Sequence, residues 1–426
     1  MVSAMTSRRL HDGHGFWAVA FAFLVVMGFS AVPTPLYGLY AARDGFGSLT
    51  ITLVFAAYAF AVMVSLFLFG HVSDGYGRRS VLVPALALSA ASAVVFLLWR
   101  SLPGLLVARV LAGLGVGVAT ATATAWLSEL HARRRPDGGT RRAEVVAIAA
   151  NLGGIGTGPL LAGILAHWVG SPLTVPYVVF LALLAVSTLL VVVSPETRDS
   201  AAPPRYRPQR VIVPGDARAA FFAAAGAALV GFAAFALFTS LAPMFLSDVL
   251  GARSRALAGA TAFVVFAASA AAQLLLARRP RRELVLGGAT GLVAGTVLTV
   301  VAVWLASPSL ALFLTGGGIM GAGAGGLFKG AVTTVVAVAD DEHRAEALSG
   351  LFLAGYTGLA VPVIGLGLLT QHLAPRVALL IFAAALVAGV LAGLGPLLGR
   401  TASPPSPTSR AAPPCSARRS ALPATD

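Results

Sequence analysis

Uncharged runs long enough to cross roughly 30 Å of hydrocarbon as a helix recur along the whole chain, and nothing else in it limits the fold so severely. No charged side chain occurs between Ser48 and Gly70, and a second such run extends from Val81 to Trp99. In hydrocarbon the backbone finds no water, so a spanning segment is either a helix or a strand of a closed barrel. The alternating ten-residue pattern of a barrel is absent. Of 426 residues 58% are hydrophobic and 11% charged, against about 25% charged in soluble domains. The expectation is an all-α polytopic membrane protein.

Twelve helices are expected, at about 16–40, 48–70, 80–99, 103–128, 143–168, 173–194, 219–246, 255–277, 284–306, 308–337, 345–370 and 376–399. An even number puts both termini on one side. The formal net charge of +14 comes from arginines in short loops rather than from a nucleic-acid-binding surface. Arg78, Arg79, Arg133, Arg134, Arg135, Arg141, Arg142, Arg278, Arg279, Arg281, Arg282 and Arg344 fall on the side of the termini. Arg43, Arg100, Arg253, Arg255 and Arg376 fall on the other. By the positive-inside rule the termini are cytoplasmic. Trp99, Trp168 and Trp304 fall at the outer helix ends, where an interfacial aromatic belt belongs. The first span is too long for a signal-peptide core and is expected to be retained. With Cys415 as the one cysteine, no disulfide within the chain is possible. No metal cluster is apparent, and no cofactor is implied.

The two halves echo one another. Val54-Phe55-Ala56-Ala57 returns as Val265-Phe266-Ala267-Ala268, and Gly113, Gly115 and Gly117 return as Gly321, Gly323 and Gly325. Arg142-Ala143-Glu144 returns as Arg344-Ala345-Glu346. The matches keep their order and their offsets shrink only where second-half loops are shorter. The expected organisation is a six-helix bundle over 1–194, a cytoplasmic linker over 195–217, a second six-helix bundle over 218–399 and a disordered Pro/Ser-rich tail over 400–426. Parallel repeats of this kind build transporters.

Three motifs sit on this frame. The loop after the second span reads GHVSDGYGRR, with Gly70, Asp74, Gly77, Arg78 and Arg79 at marked positions. The fourth span holds Arg109 followed by Gly113, Gly115 and Gly117, and the fifth holds Gly154, Gly158, Pro159 and Gly163. Together with the twelve spans they resemble the major facilitator superfamily, over roughly residues 15–400. The first motif is similar to that family's loop G-x-L-a-D-x-x-G-R-[RK], with Val72 for leucine and Gly75 where a basic residue is common. The second is similar to R-x-x-x-G-x-G, and the third to the antiporter pattern G-x-x-x-G-P-x-x-G-G with Ala162 in place of a glycine.

The resemblance implies a conformational latch at Asp74, closing the cytoplasmic face with Arg142 or the start of the eleventh helix near Arg344 as partner. The alternative is that Asp74 caps a helix and the arginines set topology. It implies a part in proton coupling for Arg109; an arginine this close to the outer end could instead snorkel. It implies export for the fifth-helix pattern, although small residues also serve close helix packing alone.

Lys329, the only lysine, falls near the middle of the tenth span, roughly 15 Å from the nearer end at 1.5 Å per residue. An ionisable group at that depth is either a functional site or a structural lysine bonded to backbone carbonyls. No carboxylate falls clearly at mid-membrane, which favours neutral or anionic amphiphiles over cations. Phe29, Tyr37 and Tyr356 are candidate cavity residues, with packing as the alternative for each. Pro33 and Pro35 are expected to bend the first span. The expected function is a monomeric, proton-coupled exporter of a small amphiphilic solute in a bacterial plasma membrane, of the drug:proton antiporter-like kind. An importer of a small anionic metabolite and a non-transporting membrane sensor are the alternatives. No nucleophile or acid–base cluster points to an enzyme.

Overall fold

The computed structural model describes residues 11–198, 218–339 and 344–398. The tail with Cys415 and most of the linker lie outside the described residues. The described residues contain no strand, and twelve helices are long and apolar enough to cross a membrane. They are α1 (Asp12–Asp44), α2 (Ser48–Phe69), α3 (Arg78–Leu98), α4 (Leu102–Arg134), α5 (Arg141–Trp168) and α6 (Val175–Val192). The second set is α7 (Arg218–Val249), α8 (Arg255–Leu275), α9 (Arg281–Trp304), α10 (Leu310–Val338), α11 (Glu346–His372) and α12 (Pro375–Gly395). The largest departure from the expected bounds is α4, which continues through the polar stretch Glu129–Arg134. Good helix formers there carry the helix on past its apolar run.

Two helices are interrupted near the end away from the arginine clusters, called here the far end. In α1 the regular helix stops at Ala31 and resumes at Tyr37, with a 3-10 turn over Thr34–Leu36 between. Pro33 and Pro35 bring no N–H to the ladder, so the α pattern cannot run through them. In α7, π-helical turns at Leu237–Leu241 and Phe245–Val249 flank Pro243. Trp99, Trp168 and Trp304 end α3, α5 and α9 at the far end and stay 49%, 70% and 48% exposed.

Extensive helix packing occurs within the first six helices and within the last six, with two exceptions: α5 runs along α8, and α2 along α11. Moving six helices along the chain converts α5 into α11 and α2 into α8. The two seams therefore exchange under the duplication expected from the sequence. Small residues make both possible. On α5, Gly163 lies under the backbone of Arg255 and Gly259 of α8; on α11, Gly367 meets Thr52 of α2. Polar contacts join the seams at the far end. Arg255 donates to the Ala166 carbonyl at 2.9 Å, and the Ser48 and Thr370 hydroxyls lie 2.7 Å apart.

Candidate functional site

A cavity of about 250 Å³ lies between the two halves. It starts beneath the interruption of α1, at Ser30 and Thr34, and continues past Arg109 toward the arginine-rich end. Its far-end side is bridged by the two seams. In the other direction its wall reaches Thr124 of α4, Ala147 of α5 and Gln273 of α8, all in the arginine-rich halves of their helices.

The fourth-helix motif builds the cavity's only charged wall residue. Arg109, Gly113 and Gly117 recur every four residues on α4, so they share one face. On that face Gly113 lies against the backbone of Tyr58 and Val62, and Gly117 against Ser65. A Cβ at 113 would stand 2.5 Å from the Tyr58 carbonyl oxygen, so glycine is what lets α2 come this near. Gly115 points elsewhere, onto Ala85 and Ser89 of α3. The close approach puts the Tyr58 ring under the Arg109 guanidinium at 4.3 Å, with Phe55 at 5.7 Å. Arg109 is 2% exposed and Nη1 donates to the Ser30 carbonyl at 2.6 Å. It does not snorkel. Nε has no hydrogen-bond partner, and Arg109 forms no ion pair among the described residues.

The charged hairpin forms a second site at the arginine-rich end. Gly70 ends α2, and a short helix, Val72–Tyr76, leads to Gly77 at φ +90°, a conformation that favours glycine. Gly77 brings no side chain to cap α3, and the cap comes from far along the chain. The Glu196 carboxylate accepts the N–H groups of Arg78 and Arg79, both at 2.9 Å. The free N–H groups and dipole of a helix start favour such an anion. The Arg78 side chain is almost wholly buried. It pairs with Asp74 and Glu129, each at 2.7 Å, and donates to the Ser73 hydroxyl at 2.6 Å. Glu129 also receives Arg198 and the Thr197 hydroxyl, and Arg133 holds the carbonyls of Glu196 and Thr197. Arg79 donates to the Val192 carbonyl.

Asp74 thus meets Arg78 of its own hairpin. Arg142, one of its two expected partners, sets its guanidinium 5.8 Å from the Trp17 ring centre. Arg142 stands in the first turn of α5, against Trp17 of α1.

The remaining residues divide as follows. Tyr356 and Arg109 stand on the cavity wall. Phe29 does not: it turns to Phe180 of α6, with ring centres 6.4 Å apart, while its neighbour Ser30, about 100° around the helix, faces the cavity. Tyr37 is buried beyond the interruption and is not a wall residue. Lys329 is half-buried beside the wall, and Nζ donates to the Gln273 carbonyl at 3.0 Å, tying α10 to α8. That is the carbonyl-bonded arrangement left open by the sequence. On α5, Gly154 and Gly158 pack on Leu24 and Gly28 of α1, while Pro159 and Gly163 face α8. One motif therefore serves two interfaces.

Several wall residues went unnoticed in the sequence: Phe232, Phe328, Phe352, Asn151 and Gln273 among them. The amides Asn151 and Gln273, inside apolar spans, were the available signal.

The family model described as Major Facilitator Superfamily matches residues 19–295. The chain belongs to the Major Facilitator Superfamily. An uncharacterized MFS-type transporter of Methanocaldococcus jannaschii is 28% identical over 171 residues. That alignment spans 40% of this chain and 42% of the relative, less than half of either. Among solved structures, the human organic anion transporter MFSD10 (TETRAN) is similar with a TM-score of 0.66 at 17% identity, over 91% of this chain and all of that one. A POT family transporter in complex with 5-aminolevulinic acid is similar with a TM-score of 0.72 at 12% identity, over 89% and 94%. At such identities these two likenesses speak to the fold.

Proposed function

We propose that the protein is a proton-coupled exporter of a small amphiphilic solute, working by alternating access, with the arginine-rich end in the bacterial cytoplasm. The observation that carries this reading is the cavity between the halves, bridged at the far end by two exchanged seams and continuing toward the arginine-rich end. With that end cytoplasmic, the cavity faces the cytoplasm, the side from which an exporter loads. Rocking about the seams would open the far end in turn. The likeness of Gly154, Gly158, Pro159 and Gly163 to the antiporter pattern supports export, and their packing on α1 and α8 puts α5 in both the first bundle and the seam. Arg109 is the candidate coupling group, and the Asp74–Arg78–Glu129 cluster the candidate latch.

The test is flux in everted vesicles. A panel of labelled neutral and anionic amphiphiles is offered with and without an inwardly acidic pH gradient. Accumulation that needs the gradient and the wild-type Arg109 supports proton-coupled export; equal flux with and without it rules proton coupling out. One observation favours a second reading, import of a small anionic metabolite: the single charge on the wall is positive. Accumulation by intact cells rather than by everted vesicles would select it.

A further inference from the structure

Resting on the transport reading above, we infer that the cavity takes a ring-bearing monocarboxylate in one fixed direction, acid group on Arg109 and rings against Phe232, Phe328, Phe352 and Tyr356. The charge lies in the first half, with the rings of Phe55 and Tyr58 beside it, while the second half carries more of the rings and two polar groups, Thr239 and Gln273. The second half supplies a connected aromatic wall. Phe328 touches Phe352 and Phe232 at centre distances of 5.7 and 5.3 Å, and Phe232 meets Tyr356 at 5.6 Å. Such a surface gains from stacking as well as from dehydration. The first half supplies Ser30, Thr120, Thr124 and Asn151, and with them Arg109.

Arg109 is a buried cation lacking a counter-ion. A charge in that position costs free energy until it is paired. Among the described residues its neighbours supply one carbonyl, two ring faces and the neutral Tyr37 hydroxyl, but no anion. A carboxylate fills the vacancy best, since its two oxygens match the guanidinium fork. One guanidinium balances one negative charge, so a dianion would carry an unpaired charge into the cavity, and an ammonium would meet repulsion.

The duplication gives an independent reason for a fixed direction. In the glycine register that aligns Gly113 with Gly321, Arg109 corresponds to Gly317. There the place of a side chain is taken by the Phe238 ring, since a Cβ at 317 would stand 2.8 Å from it. Phe238 is fully buried and packs on Phe313. The second half therefore offers no cation at the matching place, and its Lys329, beside the wall, is engaged by the Gln273 carbonyl. The volume of about 250 Å³ lies just below the usual range for small-molecule sites, roughly 300–1,000 Å³. It suits a compact two-ring acid.

The experiment is calorimetric titration of the purified full chain in nanodiscs with naphthalene-2-carboxylate, naphthalene-2-carboxamide and 2-naphthylmethylammonium. The carboxylate is expected to bind roughly tenfold or more tighter than the amide, as charge-assisted pairing implies, with the ammonium weakest. Arg109→Gln should bring acid and amide to similar affinity. Phe352→Leu should weaken both while keeping the acid preference, and this variant decides the matter if Arg109→Gln does not fold. The inference is overturned if amide or ammonium matches the carboxylate, if none binds at millimolar concentration, or if a folded Arg109→Gln keeps the preference. Acid-selective binding without gradient-dependent flux would count against proton-driven export alone. Gradient-driven flux without acid preference would count against this inference alone.

Discussion

Neighbouring charges in the hairpin differ sharply in what they hold. The Asp74 side chain is 58% exposed, so water and salt screen its pair with Arg78. Arg78 is 4% exposed and joins Ser73, Asp74 and Glu129 at once. Asp74→Asn is therefore expected to cost less than about 1 kcal/mol. Arg78→Gln is expected to cost about 1–3 kcal/mol, because Glu129 and Ser73 both lose a buried charged donor. Thermal unfolding in detergent separates the two, and equal shifts would show that the cluster does not work as drawn. The sequence made the hairpin legible, since its glycines, aspartate and arginines are adjacent. Its supports were not legible: Glu129 and Glu196 come from 51 and 118 residues away, and nothing local marks a carboxylate as another helix's cap. Lys329 shows the converse. Its depth in an apolar span flagged it, yet its amine is engaged by a backbone carbonyl.

For the helices, the number of spans could be read because a spanning helix needs a long uncharged run, and loops announce themselves with arginine and proline. Pro33 and Pro35 likewise gave notice of the interruption in α1. The π-helical turns of α7 had no such herald beyond Pro243, since an extra residue in a turn is decided by packing around it. The glycines of α5 offer a sharp comparison. A Cβ at Gly154 would stand 2.5 Å from the Leu24 carbonyl oxygen, whereas one at Gly153 would meet nothing within 4 Å. Gly154→Ala should destabilise by about 1–3 kcal/mol through overpacking. Gly153→Ala should be neutral or gain up to about 1 kcal/mol from helix propensity. Paired melting curves check this, and a harmless Gly154→Ala would mean that α1 and α5 are not in such close contact.

Over the whole chain, the expected duplication rests on short echoes, and the two seams, α5 on α8 and α2 on α11, follow the pattern it would give. The cavity's aromatic wall was not visible. In a membrane protein the lipid-facing and cavity-facing sides are both apolar, so Phe222, 67% exposed, and Phe232, on the wall, look alike in sequence. The proposed alternating access makes a demand on the far end: the Ser48–Thr370 contact would have to open and close. In a Cys415→Ala background, Ser48→Cys with Thr370→Cys should cross-link under oxidation and abolish flux, and reductant should restore it. Undiminished transport by the oxidised form would show that the halves never part there. The cap on α3 has a mechanical side as well. Glu196, Thr197 and Arg198 are the last described residues before the chain crosses to α7, and all three are pinned to the hairpin and α4. The leash between the bundles is thus tied off at Arg198 rather than where α6 ends. Loosening the cap on α3 should therefore free the stretch that follows α6 as well, since one carboxylate anchors both.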